Sequence, residues 1–66
     1  MTSRAINRAI KHTDLTLVYT RGDGYFYFID PEGNQCGESV LVCYLNHLSL
    51  DRWVEEAEWA AIEGPQ

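Results

Sequence analysis

Tyr25-Phe26-Tyr27-Phe28-Ile29, followed by Asp30-Pro31-Glu32-Gly33, decides how this chain folds. Five aromatic or β-branched residues in succession would crowd a helix but suit a pleated sheet, so residues 25–29 read as a strand. The next four fit a type I turn: Asp accepts hydrogen bonds at the first position, Pro fixes φ at the second, and Gly suits the fourth. Upstream, Arg21-Gly22-Asp23-Gly24 puts two glycines around an aspartate, a hairpin signal because such turns need positive φ. A strand is therefore expected on either side. Residues 15–20 supply one, alternating Leu15, Leu17 and Tyr19 against Thr16, Val18 and Thr20. Residues 39–44 supply the other, with Val40-Leu41-Val42-Cys43-Tyr44 as its body. Residues 35–38 either begin that strand or hold a bulge at Gly37.

Helices flank the three strands. Ala5, Ile6, Ala9 and Ile10 recur at helical spacing after a capping Thr2 or Ser3, while Arg4, Arg8 and Lys11 share a second face. His12-Thr13-Asp14 ends this helix, which is too short to stand alone. The last helix is better marked. Ser49 is its expected N-cap, Leu48 can staple onto Trp53, Asp51 suits the first turn, and Gly64-Pro65 stops it. Leu50, Trp53, Val54, Ala57, Ala60 and Ala61 gather on one face. Asp51, Glu55, Glu58, Trp59 and Ile62 lie opposite. Each helix has one apolar stripe, so both are expected on one face of an antiparallel meander. The result is a single two-layer α+β domain over residues 1–66, in the order helix, three strands, helix. The other sheet face would be partly exposed, with either the Tyr25/Tyr27 or the Phe26/Phe28 pair outward.

Size and composition exclude a good deal. The chain has 66 residues, of which 45% are hydrophobic, with 10 acids against 5 Lys and Arg for a net charge of −5. That is enough for one folded domain and too little for a Rossmann domain, a barrel enzyme or a kinase. No apolar run approaches the ~20 residues needed to cross a bilayer, and residues 1–5 carry no secretory pattern, so a cytoplasmic setting is expected. A net acidic chain repels phosphate, which disfavours binding free nucleic acid by bulk electrostatics. Two cysteines make no disulfide scaffold and are expected as reduced thiols. Cys43, within an apolar run, is the expected core residue, and Cys36, near a turn, is the candidate for exposure.

Catalytic and metal signals are weak. His47 follows Cys43 by four residues, but the β-branched stretch argues against the helix that would bring them together, so a core cysteine and a loop histidine are the simpler reading. Zinc would need ligands that only His12 and His47 could add, without paired spacing. Gly22 and Gly24 are not followed by a helix, so they form no phosphate loop. No cofactor is expected. Arg21-Gly22-Asp23 spells an adhesion tripeptide, and turn chemistry accounts for it better.

Charge distribution is the informative feature. Residues 1–22 carry a net of +3, and residues 23–66 carry nine acids against Arg52, a net of −8. Ordinary solubility explains any single charge. The sharper reading is a one-sided negative field formed by Asp30, Glu32, Glu38, Asp51, Glu55, Glu56, Glu58 and Glu63, suited to a basic partner. Trp59 among these carboxylates is either an interface anchor with a polar rim or packing for a neighbouring loop.

The stretch Gly24-Tyr25-Phe26-Tyr27-Phe28, together with the run from Ser39 through Tyr44, Leu48, Ser49 and Trp53 to Glu56, resembles small acidic phage-encoded anti-CRISPR proteins, most nearly inhibitors of type I-C systems. The likeness covers roughly residues 4–60 and carries no residue-level signature. It implies a non-catalytic inhibitor that binds a type I CRISPR–Cas surveillance complex and blocks target DNA (PAM) recognition by imitating DNA. The expected partner is a basic DNA-recognising host protein, without direct nucleic-acid or membrane binding, and the chain is expected as a monomer rather than a dimer. The alternative expectation is a phage accessory module that binds another host protein or self-associates through an exposed aromatic sheet face.

Overall fold

The computed structural model describes residues 1–20 and 24–65. The first hairpin turn and the Arg21-Gly22-Asp23 tripeptide therefore lie outside the described residues. The elements run α1 (Ser3–Ala9), a 3-10 turn (Lys11–Thr13), β1 (Thr16–Thr20), β2 (Tyr25–Ile29), β3 (Gln35–Val40), a second 3-10 turn (Leu45–His47) and α2 (Leu50–Glu63). The strands form one antiparallel sheet in the order β1-β2-β3. Both helices pack on the same face, α1 toward β1 and α2 toward β3, and touch each other. The two-layer α+β meander read from the sequence is the fold observed.

The local signals act as their chemistry requires. The Thr2 hydroxyl accepts from Ala5 N–H at 3.2 Å, and the Ser49 hydroxyl accepts from Arg52 N–H at 3.1 Å, so each helix has a side-chain cap. Asp30 builds the second hairpin. Its carbonyl accepts from Gly33 N–H, and its Oδ1 accepts from Glu32 and Asn34 N–H at 3.0 and 2.9 Å. Gly33 then takes φ +88°, a type I turn closed by a left-handed residue.

The third strand lies earlier than residues 39–44. The tight Asp30 turn starts pairing at once, Ile29 against Gln35 and Phe28 against Cys36. Two extra residues then enter β3, so that Phe26 faces Val40. An insertion of two preserves side-chain parity and bends the strand. Beyond Val40 only Tyr25 remains of the five-residue β2. Val42 N–H turns back onto the Val40 carbonyl at 3.1 Å and the chain leaves the sheet. Leu41 is consequently 80% exposed, while Val42 and Leu45 fold back against the core.

That shift exchanges the two cysteines. Cys36 sits on the inner sheet face at 2% exposure, whereas Cys43 lies in the bend and is exposed; both are free thiols. Burial pushes the Cys36 thiol pKa up, and the nearby Asp30 carboxylate adds to the rise.

Phe26 and Phe28 point inward with Leu15 and Leu17, leaving the half-buried Tyr25 and Tyr27 on the outer face. Trp53 fills the centre. It meets Phe26 and Phe28 edge-on at centroid distances of 5.3 and 6.4 Å, and its indole N–H donates to the Leu45 carbonyl at 2.7 Å. Ile6 of α1 and Ile10 just after it close the core on one side, and Ala57 and Ala60 of α2 on the other. Ala5, Leu50 and Ala61 belong to the apolar stripes by spacing and are nonetheless exposed, because one short sheet covers only the middle of each stripe.

Gly37 sets how closely α2 approaches. A Cβ there would lie 2.8 Å from Ala60 Cα and 2.9 Å from Ala60 Cβ, and the residue has φ +67°. Glycine is required on both counts. Beside it, Gly37 N–H donates to the Gly64 carbonyl at 3.2 Å and Cys36 bridges to Pro65, so the end of α2 is tied to β3.

Candidate functional site

The outer surface of α2 carries two rows of charge. Arg52, Glu56, Trp59 and Glu63 follow at i, i+4, i+7 and i+11, and the last three face β3. Asp51, Glu55 and Glu58 follow at i, i+4 and i+7, and all three are exposed.

The first row forms one wall of a groove of about 440 Å³, lined by Glu38, Ser39, Val40 and Leu41 from β3 and by Glu56, Trp59, Ala60 and Glu63 from α2. The bulge that places Val40 opposite Phe26 also brings Glu38 and Leu41 to this rim. Trp59 is 47% exposed. The Arg52 guanidinium lies over its ring at 5.0 Å and pairs with Glu56 at 2.9 Å and Glu55 at 3.5 Å. Arg52 therefore holds Trp59 and two carboxylates in one arrangement. It also neutralises part of their charge: Glu38, Glu55, Glu56 and Glu63 against Arg52 leave a local net of −3.

The nine residues singled out in the sequence do not form one patch. Glu38, Glu56, Glu63 and Trp59 converge on the groove. Glu55 adjoins them through Arg52. Glu58 points the other way and pairs with His12 Nε2 at 2.9 Å across the helix interface. Asp51 sits in the first turn of α2, where its charge complements the exposed backbone N–H groups. Glu32 is exposed at the β2–β3 turn, and Asp30 beside it is occupied with capping that turn. The single negative face is thus corrected to a groove with satellites, because a fourteen-residue helix distributes its acids over both its free sides.

Sequence reasoning missed Arg52 as the group that pairs with the groove's Glu56 and Trp59, and Leu41 as part of its lining. The i, i+4 spacing of Arg52 and Glu56 and the i, i+7 spacing of Arg52 and Trp59 were the available signal for the first. Leu41 had none, since it depended on where β3 ends.

The two cysteine and histidine candidates lie away from this groove. Cys43 lines a separate cleft of about 400 Å³ with Met1, Tyr19, Tyr44 and Asn46, while His47 packs its ring edge-on to Tyr44 at 5.2 Å. Among the described residues, no three His, Cys, Asp or Glu side chains converge as metal ligands. No described helix is long and apolar enough to cross a membrane. No protein-family model, curated protein or solved structure matches this chain.

Proposed function

We propose that this domain is a stoichiometric binding protein whose α2–β3 groove docks on a basic, DNA-reading protein surface and keeps DNA off it. The observation that carries the reading is the convergence of Glu38, Glu56 and Glu63 around a half-exposed Trp59, held by Arg52. A DNA-reading surface presents Lys and Arg to phosphates, and carboxylates on a rigid scaffold offer the same cations an alternative. An aromatic anchor ringed by polar groups is the usual arrangement of an interface hot spot. The resemblance to anti-CRISPR proteins supplies the partner: the surveillance complex of a type I CRISPR–Cas system, at the surface that recognises the PAM. Inhibition then needs neither cofactor nor bond-making, and the host cytoplasm is where it would act.

The test is competition between the protein and target duplex for a purified type I-C surveillance complex, at low and high salt. Wild type displaces duplex, and more weakly as salt rises. Glu38→Lys combined with Glu63→Lys loses displacement while keeping the wild-type melting temperature, since both side chains sit on the rim. Wild-type displacement by that variant overturns the proposal. So does a wild-type protein that leaves duplex binding unchanged, or one that self-associates through its tyrosine face instead of engaging the complex.

A further inference from the structure

α1 and the turn after it carry a second charged surface, with no role in the groove. Arg4, Arg8 and Lys11 line one shallow cleft of about 450 Å³ together with Ser3 and Asn7. All three cations are exposed. Among the described residues, the ion pairs are formed by His12 with Glu58 and by Arg52 with Glu55 and Glu56; none involves Arg4, Arg8 or Lys11. In a chain with twice as many acids as Lys and Arg, these three form no ion pair with a described carboxylate, although Asp14 closes the turn that Lys11 opens. Asn7 sharpens the chemistry of the cleft. Its Oδ1 accepts the Leu17 N–H of edge strand β1 at 2.7 Å, so the side chain has its NH2 group left to offer. The charged groups are all donors, and the neutral ones add an amide NH2 and a hydroxyl.

We infer that this cleft binds the phosphodiester backbone of a single nucleic-acid strand. Arg, Lys, Ser and Asn side chains are the groups that contact phosphate oxygens without reading sequence. The cations form a row rather than a cluster: Arg4 and Arg8 stand about 6 Å apart along α1, and Lys11 follows them in the 3-10 turn beyond the helix. A row suits a ligand that repeats its charge, and one orthophosphate would not span it. The chain's negative charge does not forbid this. The acidic groove lies on the β3 side of the sheet and the basic cleft on the β1 side, in a domain measuring 24 × 22 × 16 Å. Exposed charges farther apart than about 10 Å are largely screened at 0.1 M salt. The inference is independent of the groove's partner and survives if that proposal fails.

The experiment is an NMR titration of the 15N-labelled full chain with a short single-stranded DNA, an RNA of the same length and a polyglutamate peptide, at two salt concentrations. Either oligonucleotide should shift the amides of residues 3–11 and leave the α2–β3 groove unmoved, and the tighter of the two names the source of the strand. Three phosphate contacts give a slope of log K against log salt of about −2, at about −0.7 per contact for single strands. Arg4→Gln with Arg8→Gln should reduce that slope by about two thirds while leaving the amide spectrum of the core in place. Lys11→Gln alone should remove about one third of the slope and serves as an independent variant. No shift in residues 3–11 at low salt overturns the inference. So does polyglutamate binding as tightly as the oligonucleotides, or an unchanged slope in the double variant.

Discussion

Trp53 and Trp59 stand six residues apart on one helix and have opposite surroundings. Trp53 is fully buried, bonded through its indole N–H and braced by two phenylalanines. Trp59 is half exposed, stacked under Arg52 and bordered by carboxylates. Six residues turn a helix by about 600°, which sets the two side chains some 120° apart. The sheet is wide enough to bury the first and not the second. Trp59 consequently lies outside the buried core and keeps about half of its surface open to solvent.

Breaking the buried member should have the largest effect. Trp53→Ala is expected to cost about 3–5 kcal/mol, the whole of the net stability that so small a core supplies. Circular dichroism at 25 °C should show an unfolded chain. Retained sheet and helix would mean that the core is organised around some other residue.

Next comes the inner contact that lets α2 lie so close. Gly37→Ala puts a methyl group into Ala60 and strains a left-handed backbone, for a combined loss of about 2–4 kcal/mol in urea denaturation. Adding Ala60→Gly should recover part of that loss beyond additivity, because the two residues share the contact. Strict additivity would show that the strain lies in the backbone alone.

The outer member should behave differently. Trp59→Ala is expected to change stability by less than about 1 kcal/mol, while costing about 2 kcal/mol in affinity for the partner surface. Thermal melts and competition titrations measure the two separately. A large drop in melting temperature would make Trp59 a packing residue and erase the contrast.

The smallest effect concerns the two thiols. Alkylation under native conditions should modify Cys43 and spare Cys36, with peptide mass spectrometry as the readout. Burial holds the Cys36 thiol neutral by raising its pKa above the ordinary value of 9.0. The unfolded chain ionises first, so stability is intact below that value and declines as pH rises from it toward the raised value. Cys36→Ala should flatten the decline, and an identical profile would assign it to other groups.

The layout of the fold was legible because its signals are local. Two capping residues, a Pro-Glu-Gly turn and an aromatic strand each fix their own few residues and agree with one another. The end of β3 was not legible. The run Val40 to Tyr44 has strand composition, but pairing is decided by the length of β2 and by a two-residue insertion, and neither is written in that run. The cysteines inherited the same error. In the candidate site, periodicity gave Asp51, Glu55, Glu58 and the exposure of Trp59, while Glu56 and Glu63 came from the charge distribution. Periodicity did not distinguish the row facing β3 from the row bearing Glu58, since that depends on which side of the helix α1 and β3 occupy.

The tie between Gly64 and Gly37 has a consequence for how the protein is made. Cys36 and Gly37, near the start of β3, meet residues 64 and 65, so that strand's free border is not covered until the chain through Pro65 has left the ribosome. Closing that border is therefore a non-local step, which the local turns and caps do not accomplish by themselves.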